Sequence, residues 1–467
     1  MSAGVKPLVE NATRDLARFA AGIRFEDIPR EAVERIKLSV LDSIGCCLFG
    51  ATLPWTLKVA DLAQAEGARP VASFMGMGKK SSVALAALVN GTAGHAFELD
   101  DIHKESIVHA GSIATPIALG YAEQKGGASG RDVITAMTAG YEVGHRVGSA
   151  ATQSLFFRGF HPQGTSGVFV AAATAARALD LDADKFQHAL GIAGSQAGGL
   201  MAAQEGAMVK RFHCGRAAQS GVYSALLAKR GFTGVTDVLE APYGGYLSSY
   251  SDKPNPQRLT AGIGKTWETL NVGYKPHASV TSIHTTLDAL ADLMRENKLN
   301  PDDIAAVDAG VSHMTYVHCA WEYKAQGVTA AQMNLFYGLA VIAYDGVAFV
   351  DQYREDRLRD PKILDFIKRI TARVDPEIEG MGAAFRHAAR LSITTRDGRT
   401  FTREILNRRG SPENPLKPED IEYKFRHVVK SCLTPANIDK VMQLVAKLDK
   451  LDSTSELISI LAAPTAR

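Results

Sequence analysis

From about residue 32 to residue 230 the apolar side chains return every third or fourth position, the period of helices with one buried face. Val33, Ile36, Val40, Ile44 and Cys47 form one such stripe, and Pro29 stands just ahead of it, where a missing N–H costs little. The same period predicts helices over 81–97, 131–149, 165–179, 183–203 and 216–230, with Gly231 as a left-handed cap. These segments are too apolar for a thin surface layer and should pack on one another as a bundle. Near 265–275 the pattern changes. Residues 304–311 suit a strand. Leu391, Ile393 and Thr395 alternate with polar residues up to Asp397-Gly398, and Phe401, Arg403 and Ile405 continue beyond it. Asp-Gly between alternating runs predicts a hairpin with a type I′ turn. Helices at 281–297 and 331–343 flank these strands. Ile438, Val441, Leu444, Val445 and Leu448 then restore helical spacing, so the C-terminal helices are expected to return to the first bundle.

Length and composition narrow the class. A chain of 467 residues corresponds to about three average domains, or two large ones. At 46% hydrophobic and 22% charged it is neither disordered nor fibrous. Lys and Arg exceed Asp and Glu by only 52 − 50 = 2, too small a basic field for nucleic-acid binding. The 42 glycines sit with alanine inside helical segments and suggest close helix packing. Residues 1–20 carry Glu10, Asp15 and Arg18 and do not read as a secretory leader. The most uniform apolar stretch, 167–176, is about half the ~20 residues that span a bilayer. The five cysteines are scattered without a C-x-x-C pair, against a zinc ribbon, redox motif or common iron–sulfur run. The chain reads as cytoplasmic with reduced thiols and no membrane contact.

Four polar clusters could carry chemistry. His95, Glu98, Asp100, Asp101, His103, Lys104 and Glu105, followed by His109, end an apolar helix. They offer zinc or iron ligands, but at no standard metal spacing. They also suit proton transfer, or an acidic helix end with ordinary salt bridges. Arg158, His161, Thr165 and Ser166 precede a helix whose free N–H groups would favour a carboxylate, although Thr165 or Ser166 could simply cap it. Lys210, Arg211, His213 and Arg216 suit an anion or a solvated basic loop, where desolvation would move Lys210 toward base function. Lys275, Pro276 and His277, then His284, open the strand-bearing region. Neither G-x-S-x-G, nor a P-loop, nor a dinucleotide fingerprint is present.

In this order the clusters resemble the MmgE/PrpD family of 2-methylcitrate dehydratases, cis-aconitate decarboxylases and an iminodisuccinate epimerase. The resemblance runs end to end, through Asn90-Gly91 to His95, Glu98 to Asp101, Phe160-His161-Pro162, Met208-Val209-Lys210, Lys275-Pro276 to His284, and Tyr423-Lys424-Phe425. It implies a mainly α chain with an α+β second domain. Residues 1–268 would form a large all-helical domain, 269–408 a smaller α+β lid, and 409–467 helices returning to the first domain. It also implies a homodimer without metal or other cofactor, acting as a lyase on a small di- or tricarboxylate by proton transfer beside a carboxylate. An epimerase of a dicarboxylate such as iminodisuccinate, or a non-catalytic carboxylate-binding protein, is the alternative. By position the resemblance makes Lys210, His161, His109, Glu98 and Asp101 the catalytic candidates. His284, His103, Arg211 and Thr165 are the candidates for substrate binding. Either Lys210 or a histidine would be the base, and His109 or His161 the acid. Glu98 stands where many members have aspartate, and Ile102 where some have threonine. Gly206 to Arg211, Leu239-Glu240 and Tyr243-Gly244-Gly245 look closer to the fungal-type decarboxylases.

Overall fold

A computed structural model describes residues 8–465. Residues 1–7, part of the stretch read above for a leader, lie outside the described residues. Helix Val209–Lys229 is the centre of the helical body and packs against Val83–Gly94, Gly167–Ala178 and Ala183–Gly194. Arg30–Gly50, Gly111–Gln124 and the long Gly130–Phe157 complete the bundle. The predicted stripe from Val33 to Cys47 is wholly buried.

Small residues set the helix spacing. Gly215 has Leu88 O and Thr92 Oγ1 where a side chain would begin, and Gly91 stands opposite Gly215 across the same contact. Gly231 ends the central helix in the left-handed region, φ 85°, with Phe232 N–H donating to Leu227 O and Gly231 N–H to Ala228 O. That pair of bonds is a Schellman cap.

The predicted helix 331–343 is broken at Asn334, whose side chain caps the second piece, and two further predictions differ in the structure. The 183–203 segment stops at Gly194 and resumes only as a 3₁₀ turn, Met201–Glu205. Between them Gly199 takes φ 132°, which a helix cannot absorb, and its carbonyl accepts from His161 N–H. Lys210, expected in a loop, lies in the first turn of Val209–Lys229.

The lid holds a mixed sheet in the order Ile370–Val374, Ile304–Val311, Ala389–Thr395, Thr400–Ile405. The first pair is parallel and the other two antiparallel. Ala389, Leu391, Ile393 and Thr395 face inward, and helix His284–Glu296 packs across this hairpin. The hairpin turn is not type I′. Gly398 N–H donates to Thr395 O, and of the two turn residues Asp397 and Gly398 only Gly398 has positive φ. A turn over 395–398 followed by one left-handed glycine is the three-residue hairpin with a bulge.

Helices Pro418–Val429, Pro435–Ala446 and Ser455–Ala462 pack beside Arg30–Gly50 and the first body, with Phe425 against Gly45. A two-stranded pairing, Ile102 with Gly273 and His103 with Val272, joins the 95–109 loop to the start of the lid. All five cysteines are buried and unpaired. Among the described residues no single helix is long and apolar enough to cross a membrane.

The close approach at Gly215 is testable. Gly215→Ala should lower the denaturation midpoint at a cost of about 1–3 kcal/mol from overpacking. Gly22→Ala, with nothing within 4 Å of the added carbon, should leave the midpoint nearly unchanged.

Candidate active site

The 95–109 loop follows Val83–Gly94 and is held against the body from several sides. Asp101 accepts from Tyr141 Oη at 2.6 Å and from Gly111 N–H at 2.9 Å, so it caps the next helix. Burial pushes its carboxyl up to about 7. Lys424, paired with Asp42 at 2.7 Å, donates to Leu99 O. The Gln163 amide makes both hydrogen bonds to the His109 backbone, 2.8 and 3.0 Å. Within this frame Glu98 and Ile107 both take φ 55°. That is an uncommon conformation for residues with side chains, above all a β-branched one.

Glu98 is the electrostatic hub. Its carboxylate is buried and accepts from Lys210 Nζ, from an Arg211 nitrogen at 2.6 Å and from Lys275 Nζ at 3.2 Å. Burial alone would raise its pKa, but Lys210, Lys275 and Arg211 together hold it well below the usual range. Lys210 is desolvated to a pKa of about 8, the Glu98 charge having limited the fall. Arg211 also reaches His95 O, Thr329 Oγ1 and Gln332 Oε1.

Asp100 joins two imidazoles. His95 Nδ1 lies 2.8 Å from one oxygen and His109 Nδ1 3.2 Å from the other, and Ser112 Oγ donates to the first at 2.5 Å. Burial opposes ionisation of Asp100, but His109 and His95 outweigh it and keep the carboxylate charged. His95, Asp100 and His109 have ligand atoms within 4.8 Å of one another, near enough for a metal by distance alone. A cation there would have to replace the hydrogen bonds that Asp100 accepts from His95 and Ser112. His161 stacks obliquely beyond His95, and its Nδ1 is 2.9 Å from His213 Nδ1, so one of the pair donates and the other accepts. Burial, then Lys210, holds His161 well below its ordinary pKa and therefore neutral.

Glu98, His109, His161 and Lys210 line one cleft between the body and the lid. The lid supplies Lys275, Thr281, Ser282, His318, Arg386 and His387. The other expected site residues sit behind this wall. His103 faces Glu268 at 3.0 Å and stacks on His145, and Thr165 Oγ1 donates to His161 O. His284 Nε2 donates to Ser279 O at 3.1 Å, and Asp101 and Arg211 act through the contacts described above. Arg216 bonds Gln219 instead of joining the cleft. The anticipated free N–H groups ahead of Thr165 are partly used, since Gly164 and Thr165 both donate to His161 O.

Several contributors were outside the sequence expectation. Lys275 stood in a noted motif, and Asp100 in the acidic cluster, without an assigned role. Gln163, His318, Arg386 and His387 carried no local signal.

The MmgE/PrpD N-terminal domain model matches residues 14–258, and the MmgE/PrpD C-terminal domain model matches 277–449. The chain belongs to the MmgE/PrpD family. Its curated relatives include the cis-aconitate decarboxylase of Aspergillus terreus, 32% identical over 97% of this chain and 96% of that protein. The cis-aconitate decarboxylase-like protein oryM of Aspergillus oryzae is 30% identical over 97% of each. The Homo sapiens cis-aconitate decarboxylase is 26% identical over 98% of this chain and 96% of its own length. As a member of this enzyme family the chain is a lyase of the decarboxylase or dehydratase type.

Glu98→Gln would leave three cations without their buried counter-charge. Loss of one partner from such a cluster should destabilise the fold by about 3–5 kcal/mol, read by chemical denaturation at neutral pH. A loss below about 1 kcal/mol would mean that water, not Glu98, balances the lysines.

Proposed function

We propose that the chain is a metal-independent cis-aconitate decarboxylase. The cluster of Lys210 and Lys275 on the cleft wall, held around one carboxylate, carries this reading, because the same cations suit the carboxylates of a substrate. The names of the relatives supply the choice of substrate. In the reaction the C–C bond to one carboxylate breaks and carbon dioxide leaves. Its electron pair enters the carbon framework conjugated with a neighbouring carboxylate, and a proton returns to carbon, giving an unsaturated dicarboxylate.

Lys210, as ammonium, stabilises the charge that develops next to that carboxylate. His109 is the proton donor. Its Nδ1 faces Asp100 at 3.2 Å, and Gln163 fixes its backbone. His161, neutral beside Lys210, serves as a polar contact to substrate. The donor set supports metal independence. Asp100 already accepts from His95 and Ser112, so a cation on that oxygen would have to displace two hydrogen-bonding partners. We also infer a homodimer, since Met208, Val209, Tyr223 and Leu227 expose apolar surface at the central helix and Phe232 follows it.

Chelator-treated protein given cis-aconitate should release carbon dioxide at the untreated rate. Loss of the rate on chelation, with recovery on adding one metal, would overturn metal independence, and hydration without carbon dioxide would make the chain a hydratase or dehydratase. Because the active lysine is protonated, kcat/KM should fall as pH rises through about 8. Lys210→Ala should lose about 10²–10³-fold in kcat. A rate that climbs through the same pH range would make Lys210 the base. Sedimentation at micromolar concentration should give a dimer, and a monomer there would overturn the assembly inference.

A further inference from the structure

The cleft has a second cationic wall that the mechanism above does not use. Arg386 and His387 follow the short 3₁₀ turn Ala383–Phe385 and precede strand Ala389–Thr395. Both line the cleft opened by Lys210 and Glu98, yet they are only 4% and 7% exposed. Their backbone is fixed by three hydroxyl groups. Ser312 and Thr315 donate to Arg386 O at 2.6 and 3.1 Å, and Thr285 donates to His387 O at 2.6 Å. Such anchoring places two side chains on a rigid edge rather than on a loose loop.

Their polar atoms are incompletely used. Arg386 donates to Lys104 O and, at 3.3 Å, to Ala383 O, both neutral carbonyls. Its nearest anionic neighbour is Glu105 at 3.7 Å, a rim residue that also pairs with Arg258 at 3.5 Å. Arg386 Nε and His387 Nδ1 are covered and have no partner. Buried donors are rarely left that way unless a ligand or water completes them. The charge count agrees. Lys210, Lys275 and Arg386 give three positive charges against Glu98 on the cleft lining, or 3 − 1 = +2.

We propose that Arg386 and His387 form a second carboxylate subsite, which grips a carboxylate that the reaction leaves in place and so selects polycarboxylates over shorter acids. The proposal deepens the decarboxylase reading, but its binding claim stands without the reaction. A planar guanidinium offers a forked pair of N–H donors matched to a carboxylate, and the neighbouring imidazole adds a neutral donor or acceptor. Glu105 then acts as a competitor for Arg386 that the substrate displaces.

Calorimetric titration with tricarballylate, a saturated tricarboxylate without a reactive double bond, separates binding from turnover. Arg386→Gln should weaken it about 10- to 100-fold, the range for a lost charge-assisted hydrogen bond, and Arg386→Lys should recover part of the loss. His387→Asn, which keeps the Arg386–Lys104 contact, should weaken it several-fold. Glu105→Gln should tighten it, an effect that damage to the fold would not produce. Tricarballylate binding within about threefold of wild type in Arg386→Gln, or weaker binding in Glu105→Gln, would overturn the subsite. A protein inert toward cis-aconitate whose tricarballylate affinity still follows these substitutions would retire the decarboxylase reading and keep the subsite. Turnover of cis-aconitate with unchanged affinities would do the reverse.

Discussion

Three cations converge on the buried carboxylate of Glu98, and the two parts of the molecule are organised around that contact. Lys210 and Arg211 come from the first turn of the central helix, while Lys275 comes from the start of the lid. A buried ion is tolerated only when its partners are present and its remaining lone pairs are satisfied. The segments that carry Lys210, Arg211 and Lys275 must therefore pack together for the charges to balance, and the cleft lies where they meet. Gln332 extends the same network. It accepts from Arg211, then donates to Phe97 O on the loop and to Ala278 O on the lid, at 2.8 and 3.0 Å.

Beneath the cleft the loop is held by groups that do not line it. Tyr141 and Gly111 hold Asp101, Lys424 holds Leu99, and Gln163 holds His109. Lys424 lies 325 residues beyond Leu99, on a helix that the chain builds after completing the lid. The lid is thus inserted between the loop it covers and the helix that supports that loop. The histidines follow from the same burial. Desolvation lowers His95 to about 4 despite its carboxylate partner, and it holds His161 well below its ordinary value in the field of Lys210. A neutral imidazole wall beside an ammonium concentrates positive charge where the lysines stand, and excess charge is not spread over the whole pocket.

Much of this architecture was legible along the chain. The helical period located the bundle, the stripe from Val33 to Cys47 and the glycine cap at 231, because those are properties of neighbouring residues. The alternation at 391–395 exposed the hairpin for the same reason. Its turn was misread because Asp-Gly is shared by the two- and three-residue loops, and only the register distinguishes them. The helix through 194–200 failed at Gly199, whose backbone is committed to His161, a contact no local window contains. The strand Ile370–Val374 was also missed. It pairs in parallel at the edge, with alternating exposure and a short span.

The amino-acid order alone was enough for the class of fold, the family and the clusters around Glu98, His109, His161 and Lys210, since helix period and motif spacing are local quantities. Which of those side chains share a cleft was a matter of distance in space. Lys210 and Glu98 are 112 residues apart, and Lys275 and Glu98 are 177 apart. Chain closure over such separations turned His103, Thr165 and His284 toward internal partners and brought Arg386 and His387 to the cleft from beyond the lid's helices. Charge pairing and desolvation act through space, so they become specific only after the helices and the sheet have packed.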